Sequence, residues 1–454
     1  RMIQIYNSLT RSKEEFAPLG DEVKIYVCGV TVYDDSHLGH ALSSIVFDVL
    51  TRYLEYRGFK VRKVQNFTDV DDKIINRARE DGISTEEVTD KYIRSFFQSI
   101  DGLNVQRATV HPRATEDMPE IIELICRLVD GGSAYASNGS VYYRVRDKSD
   151  YGKLSGQNID EMLESSRIDI EEGKEDPSDF ALWKAVKPDE PQWESPWGPG
   201  RPGWHIECSA MAFKHLGEQI DIHGGGLDLI FPHHENEIAQ SESASGAVPF
   251  SKIWMHNGLL RTSGATMSKS LGNAFNVNSA LEEYSSDAIR LWILQSHYRT
   301  NPLLDKKLIE TAERSMRRIR QTVDIESGDS GDSVDFTSYE QRFIEAMDDD
   351  LNTPKALASV FDLCREINRG RDNQMDVSGA VETVRRLTGV LGLSLGTPPK
   401  KVGLSDREIE ALVQARKNAR ADKRWDEADS VRDQLAASGI SISDTGEDTV
   451  WSRD

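Results

Sequence analysis

One stretch near the start of the chain limits its fold more than any other. Residues 23–30, Val-Lys-Ile-Tyr-Val-Cys-Gly-Val, form a β-rich run that ends in a polar loop. Leu42, Ile45, Val46, Val49, Leu50 and Leu54 then recur at helical spacing across residues 41–56. Arg57-Gly58 closes that helix, and residues 61–64 read as the next strand. A strand, a crossing helix and a second strand make a βαβ unit, and such a crossover puts the two strands parallel.

Further along, residues 115–200 are less regular. Residues 121–129 read as a helix, 140–145 as a strand, and 188–202 as a Pro-, Gly- and Trp-rich segment. This stretch is expected to be an insertion into the sheet domain. The sheet pattern resumes at residues 220–223, and a helix is expected from near Pro232. From Asp287 the chain reads as mostly helical, with an acidic Gly/Ser-rich loop over 324–338 and a linker over 396–403. Ser405 with Glu408 is a capping-box pattern, and a second helix over 426–437 stops before Gly439.

Four cysteines in 454 residues exclude a disulfide scaffold and leave metal ligand, nucleophile or core residue as their roles. No apolar run approaches the ~20 residues of a membrane span, and residues 1–16 lack the apolar stretch of a signal peptide. A cytoplasmic protein without a membrane partner is expected. The net charge of −21 opposes polyanion binding at long range, so any nucleic-acid contact must come from local basic patches.

Four segments carry chemistry. His37-Leu38-Gly39-His40 lies where the loop meets the first helix, and a helix N-terminus with a glycine and two imidazoles suits phosphate oxygens. Met267-Ser268-Lys269-Ser270 places a lysine among small neighbours, able to neutralise a pyrophosphate. Taken alone this second segment reads as a solvated loop; paired with the first it points to one nucleotide site. In residues 221–237, Gly224, Gly225 and Gly226 permit close approach of a nucleoside, and Asp228 can take ribose hydroxyls or a substrate ammonium. Last, His233 and Glu237 are four apart and share one helix face after Pro232, and Cys28 and Cys208 add two thiolates. Two thiolates, an imidazole and a carboxylate are an acceptable tetrahedral zinc set. His234 can replace His233 on geometry alone, and the alternative for both cysteines is a place in the core.

Residues 28–40 (Cys-Gly-Val-Thr-Val-Tyr-Asp-Asp-Ser-His-Leu-Gly-His), 66–73 (Asn-Phe-Thr-Asp-Val-Asp-Asp-Lys), 203–211, 221–237 and the Met267 loop together resemble the cysteinyl-tRNA synthetases. The likeness runs on in order through Ser286-Asp-Ala-Ile-Arg290, Met347-Asp-Asp-Asp-Leu-Asn-Thr-Pro354 and the C-terminal helices. It implies an α/β fold: a Rossmann-type parallel-sheet catalytic domain over 1–114 and 201–310, split by an insertion over 115–200. A helical bundle over 311–397 and a small C-terminal anticodon-binding domain over 403–454 would follow. It also implies one zinc ion on Cys28, Cys208, His233 and Glu237, which prefers His233 over His234.

The same resemblance implies ATP bound with Mg²⁺ by Gly39, Gly225, Gly226, Asp228, Met267, Ser268, Lys269 and Ser270, with His37, His40 and Lys269 catalytic. Gly29, Thr68, Trp204 and His223 would line a cysteine pocket, and Arg416, Lys417, Arg420, Lys423, Arg424 and Trp425 would meet the anticodon. The implied partners are ATP, L-cysteine and tRNA(Cys), the implied assembly is a monomer, and no editing of serine is expected. A second basic cluster, Arg314, Arg317, Arg318 and Arg320, reads as a solvated helix face. Leu38 stands where the family usually has isoleucine, and Thr266 where it usually has lysine. A related reading, a cysteine ligase that passes the adenylate to an amino sugar, lacks a full anticodon domain, whereas this chain continues through Trp451.

Overall fold

The computed structural model describes residues 2–165, 172–262, 276–324, 331–396, 404, 406–445 and 448–453. A hairpin of β1 (Gln4–Asn7) and β2 (Ser12–Glu15) precedes β3 (Glu22–Val27), α1 (Leu38–Tyr56) and β4 (Lys60–Gln65). Next come α2 (Asp72–Asp81), α3 (Thr85–Gly102), α4 (Met118–Asp130), β5 (Ala134–Ser137), β6 (Ser140–Tyr143) and α5 (Ile159–Ser165). β7 (Phe180–Ala185), β8 (Gly200–Pro202), α6 (Trp204–Leu216), β9 (Ile220–Gly226), α7 (Glu235–Ser245) and β10 (Ser251–Asn257) complete this part.

The expected βαβ unit is present, and its sheet is parallel throughout, in the order β10-β9-β3-β4. The chain lays β4 on one side of β3 and, after the insertion, β9 on the other. Strand order therefore reverses between β3 and β9, and such a switch point leaves a crevice at the carboxyl ends of the two strands. Val27 and Gly224, paired across β3 and β9, mark that crevice.

Burial on both sheet faces explains the apolar runs. Val23, Ile25, Tyr26 and Val27 are all buried, and α1 packs Ile45, Phe47, Val49 and Leu50 against the sheet and the later helices. Phe47 lies so close to β9 that a Cβ on Gly224 would sit 2.2 Å from its ring. The insertion carries a four-stranded antiparallel sheet, β5-β6-β7-β8, whose Val141, Leu182 and Trp183 share one core with α4, α6 and Tyr26, Val64 and Trp254 of the parallel sheet. Its first hairpin turns on Asn138 and Gly139, both at positive φ, as a two-residue turn requires. β8 runs almost directly into α6, which returns the chain to the parallel sheet.

Beyond β10 the chain is helical as expected: Val277–Glu283, Ser286–Leu294, Lys306–Val323, Thr337–Asp348, Thr353–Asp372 and Ser378–Val390. The helices Asp406–Ala421 and Trp425–Ala437 form a small core with a hairpin, β11 (Ile440–Thr445) and β12 (Asp448–Arg453), through Ile409, Leu435 and Ile440. The sequence reading named neither this hairpin nor β1–β2. The 397–403 part of the expected linker, the 325–330 part of the acidic loop and the capping residue Ser405 lie outside the described residues. Among the described residues, no helix is long and apolar enough to cross a membrane.

Candidate metal centre and nucleotide cleft

Cys28 follows β3 directly, Cys208 lies on α6, and Glu237 lies in the first turn of α7. The helix expected from Pro232 is interrupted. Residues 230–234 form a π-helical turn in which Phe231 leaves helical angles (φ −134°, ψ 130°), and α7 begins only at Glu235. His233 and Glu237 nevertheless face each other, with His233 Nε2 2.9 Å from Glu237 Oε1. Cys28 Sγ lies 3.8 Å from Cys208 Sγ and 3.3 Å from Glu237 Oε1. Donor atoms of Cys28, Cys208, His233 and Glu237 all lie within 4.8 Å of one another.

A second set, Cys28, His223, His234 and Glu237, meets the same distance test. Its His234 has both ring nitrogens engaged, Nε2 with Cys28 Sγ at 3.3 Å and Nδ1 with His256 Nε2 at 2.8 Å. His233 Nε2 is buried 2.9 Å from Glu237 Oε1 without a well-aligned hydrogen bond. A buried ring nitrogen turned toward two sulfurs and a carboxylate is placed as a metal ligand would be. The residues of the first set thus fit zinc, whose preference for thiolate and imidazole they meet.

Electrostatics agree. Burial disfavours the charged forms of His233 and Glu237, but the contacts outweigh it. The Cys208 sulfur and the Glu237 carboxylate push the His233 ring up to about 10. His223 and His233 bring Glu237 down to about 2. Burial and the neighbouring Cys208 both push the Cys28 thiol up. A cluster that attracts positive charge this strongly suits a dication in place of its protons.

Histidines outside the ligand set brace it. His223 Nε2 holds the other oxygen of Glu237 at 2.6 Å, and His205 Nδ1 meets His233 Nδ1 at 2.9 Å. His256, on β10, continues from His234 to Ser8 Oγ at 2.7 Å. The sequence reading missed His205, His256 and Ser8, which no spacing signal links. His223, expected in a cysteine pocket, is fully buried behind Glu237. Trp204, also expected there, is 38% exposed and stacks on His233 with ring centroids 4.1 Å apart. Thr68 is buried, its main chain bonded to Val30 and Val32.

His37 and His40 sit at the N-terminus of α1, at the mouth of the crevice. The His37 ring accepts from Gly39 N–H through Nδ1 at 3.1 Å, and His40 Nδ1 accepts from His37 N–H at 3.2 Å. Because each Nδ1 accepts a backbone proton, each neutral ring carries its hydrogen on Nε2. Two Nε2–H donors are therefore fixed in stacked rings 3.7 Å apart. Burial lowers both rings, His40 to about 3, so both are neutral at pH 7. A Cβ on Gly39 would come within 2.9 Å of the His37 ring, so glycine is needed for this cap.

The glycines of β9 have a partly different explanation from the one expected. Gly224 makes room for Phe47, and Gly225 for Leu229 and His234. Gly226 and the exposed Asp228 stand at the strand's end. At Gly29, a Cβ would sit 1.5 Å from Asn66 O, so this position is fixed by main-chain contact between the segments that follow β3 and β4. Thr266, Met267, Ser268, Lys269 and Ser270 lie outside the described residues.

In the C-terminal unit, Arg416 and Arg420 both pair with Asp444 of β11, and Arg424 pairs with Asp422 and Glu427. Lys423 bears a positive φ of 59° in the turn between the two helices, near Lys417 in sequence, and Trp425 is 57% exposed. Arg320 is buried against Glu313 at 3.7 Å, which removes it from the solvated cluster expected over 314–320.

The family model described as the class I (C) tRNA synthetase catalytic domain matches residues 15–314. A DALR domain matches residues 342–396, and a cysteinyl-tRNA ligase anticodon binding domain residues 404–451. The chain is 48% identical over 453 residues to a cysteine–tRNA ligase of Dehalococcoides mccartyi, which covers 99% of each. It is 47% identical over 472 residues to that of Symbiobacterium thermophilum, again covering 99% of each. Among solved structures it is similar in fold to Mycobacterium tuberculosis methionyl-tRNA synthetase bound by methionyl-adenylate. That match has a TM-score of 0.59 at 15% identity, over 82% of this chain and 88% of that chain.

Proposed function

The chain belongs to the cysteinyl-tRNA synthetase family, and from that premise we propose that it activates cysteine in the crevice between α1 and the Cys28–Cys208–His233–Glu237 cluster. The reaction is that of a cysteine–tRNA ligase. A carboxylate oxygen of cysteine attacks the α-phosphorus of ATP, an acyl–phosphate bond forms, and pyrophosphate leaves with the electrons of the broken P–O bond. A terminal ribose hydroxyl of tRNA(Cys) then attacks the carbonyl carbon, and AMP leaves as the ester forms.

The Nε2–H groups of His37 and His40, at the positive end of α1, donate to phosphate oxygens as charge builds in the transition state. Lys269 supplies a further positive charge, and Mg²⁺ accompanies ATP. Gly225, Gly226 and Asp228, at the end of β9, take the nucleoside. Cys28, Cys208, His233 and Glu237 would hold a zinc ion, which when bound would supply a Lewis acid suited to a substrate thiolate. The hydroxyl of serine is a harder and far less acidic ligand. A site built on one strong polar contact rejects the analogue lacking it by ~10⁴ or more, so no editing is needed. Trp204 and Thr68 flank the side chain, and His223 orients Glu237 from behind.

The tRNA is met by the C-terminal unit, where Trp425 stacks on a base and Lys417 and Lys423 approach phosphates. Arg416 and Arg420 must first be shared with Asp444, and Arg424 with Asp422 and Glu427.

The observation that carries this reading is the convergence of the Cys28, Cys208, His233 and Glu237 donor atoms within 4.8 Å of one another. Cys208→Ser tests it. The variant should lose its bound zinc and lose 10²-fold or more in kcat/KM for cysteine, with KM for ATP nearly unchanged. A Cys208→Ser protein with full zinc content and wild-type selectivity against serine would refute it.

A further inference from the structure

Of the segments that resemble the family, residues 347–354 have no part in the chemistry above, yet three consecutive carboxylates there tie the helical region to the catalytic half. Asp348 ends the helix Thr337–Asp348, and its Oδ1 accepts from Tyr53 OH at 2.5 Å and from Arg57, both in or next to α1. Asp349 pairs at the surface with Lys13 of β2. The fully buried Asp350 accepts from Tyr6 N–H at 2.8 Å, Tyr298 OH at 2.5 Å and Arg299 Nε at 2.8 Å. Its carbonyl accepts from His297 Nε2 at 2.9 Å, and its own N–H donates to Gln4 O at 2.9 Å. Asp350 and Leu351 both have left-handed backbones, φ 57° and 49°. A non-glycine residue adopts that conformation at a cost, and two in succession persist only where the surroundings over-determine them.

The Asp348 and Asp350 tethers each lead to one wall of the nucleotide crevice. α1 carries His37 and His40 at one end and the Asp348 contacts at the other. The segment after Tyr298 runs beside residues 258–261, which extend β10 toward the lysine-bearing segment in sequence. Gly258 N–H donates to Tyr298 O at 2.8 Å, Leu259 N–H to Asn301 Oδ1 at 2.8 Å, and Arg261 N–H to Pro302 O at 2.8 Å. A Cβ on Gly258 would lie 1.9 Å from Thr300 O, so the two segments touch main chain to main chain.

We propose that Asp348 and Asp350 are positioning residues for adenylate formation, holding α1 and the 258–261 strip in register from the helical region. The proposal rests on the reading that α1 and this strip flank ATP. Neither carboxylate touches substrate. Each acts through tyrosine and arginine side chains that lead to the two walls, and a small misplacement of reacting groups is enough to slow chemistry strongly.

The test measures cysteine-dependent ATP–pyrophosphate exchange, with rates expressed per active site from burst titration of adenylate. Tyr298→Phe and Asp350→Asn each should lower kcat per titrated site by about ten-fold, with KM for cysteine unchanged, because the zinc ligands lie on other elements. The double variant should match Asp350→Asn alone, since both cut one thread. Tyr53→Phe, which cuts the Asp348 thread, should also lower kcat, and Lys13→Met, which touches only the exposed pair, should not. If Asp350→Asn does not fold, Tyr298→Phe and Tyr53→Phe carry the test. A purely structural role would lower the melting temperature or the titratable fraction and leave kcat per site at the wild-type value, and that result would overturn the proposal. His40→Asn is assayed alongside: full exchange activity in that variant would overturn the reading of the ATP site itself, a separate outcome.

Discussion

Replacing Arg290 by methionine should strip a fully buried polar tie between α1 and the helical region. Arg290 and Asp48 are both fully buried, with Nη2 2.7 Å from Asp48 Oδ2. The same guanidinium donates to Leu391 O at 2.8 and 3.2 Å, to Leu103 O at 3.2 Å and to Asn104 O at 3.3 Å. Gly392, at φ 69°, leaves room for it, since a Cβ there would sit 2.0 Å from Nη2. Methionine keeps much of the volume and none of the donors. Removing one partner of a buried ion pair costs about 3–5 kcal/mol. Asp48 would keep Arg52 Nε at 2.9 Å and Gln106 N–H at 2.8 Å, which argues for the lower end. Leu391 O and Leu103 O would lose their side-chain donor, at about 1 kcal/mol each, partly offset by the apolar packing of methionine. A total near 4 kcal/mol follows, or a fall in Tm of about 10 °C at 2–4 °C per kcal/mol. Urea unfolding followed by circular dichroism would measure it. A loss below about 1 kcal/mol would show that the guanidinium is not satisfied as described.

Two further perturbations test local geometry. Gly29→Ala would place a Cβ 1.5 Å from Asn66 O, main chain on both sides, so soluble yield should collapse or Tm fall by an amount equivalent to about 3 kcal/mol; a folded variant of wild-type stability would contradict that main-chain contact. Burial holds His40 at about 3 and His111 at about 4, both below the unfolded value of ~6.5. The folded chain therefore binds fewer protons, and the stability these groups contribute is full above pH ~6.5 and is lost as pH falls toward their folded values. Urea midpoints should drop between pH 7 and pH 5, by up to roughly 2 kcal/mol per histidine, and a flat profile would count against neutral, buried rings.

Some of this was legible in the sequence for a physical reason. A strand buried on both faces is largely apolar, so β3 announces itself, as does the stripe of α1, whereas the edge strand β4, Lys-Val-Arg-Lys-Val-Gln, is placed by its position just after that helix. β1 and β2 do not: β2 is Ser-Lys-Glu-Glu, mostly exposed, and the hairpin is placed by Asn7 at the end of β1 and Ser8 after it, which bond to the main chain of β10. β11 and β12 alternate too briefly to stand out. Arg320 could have been read correctly, since it falls on the buried stripe of Ile309, Ala312, Met316 and Val323 and not on the solvent face. The four candidate zinc ligands are scattered over more than two hundred positions, and although a four-residue spacing joins His233 and Glu237, no local pattern ties Cys28 and Cys208 to them. What joins them is the crossover that brings α6 and α7 to the ends of β3 and β9, and the sequence disclosed it only through likeness to a family. The bracing histidines, His205 and His256, belong to that same long-range geometry and gave no signal.

The most direct test of the central claim is cysteine-dependent ATP–pyrophosphate exchange followed, in the same tube, by charging of bulk tRNA with labelled cysteine, with and without a zinc chelator. The account predicts exchange, acid-precipitable charging, and loss of both on chelation with recovery on added zinc. Exchange without charging, or charging indifferent to the loss of zinc, would contradict it.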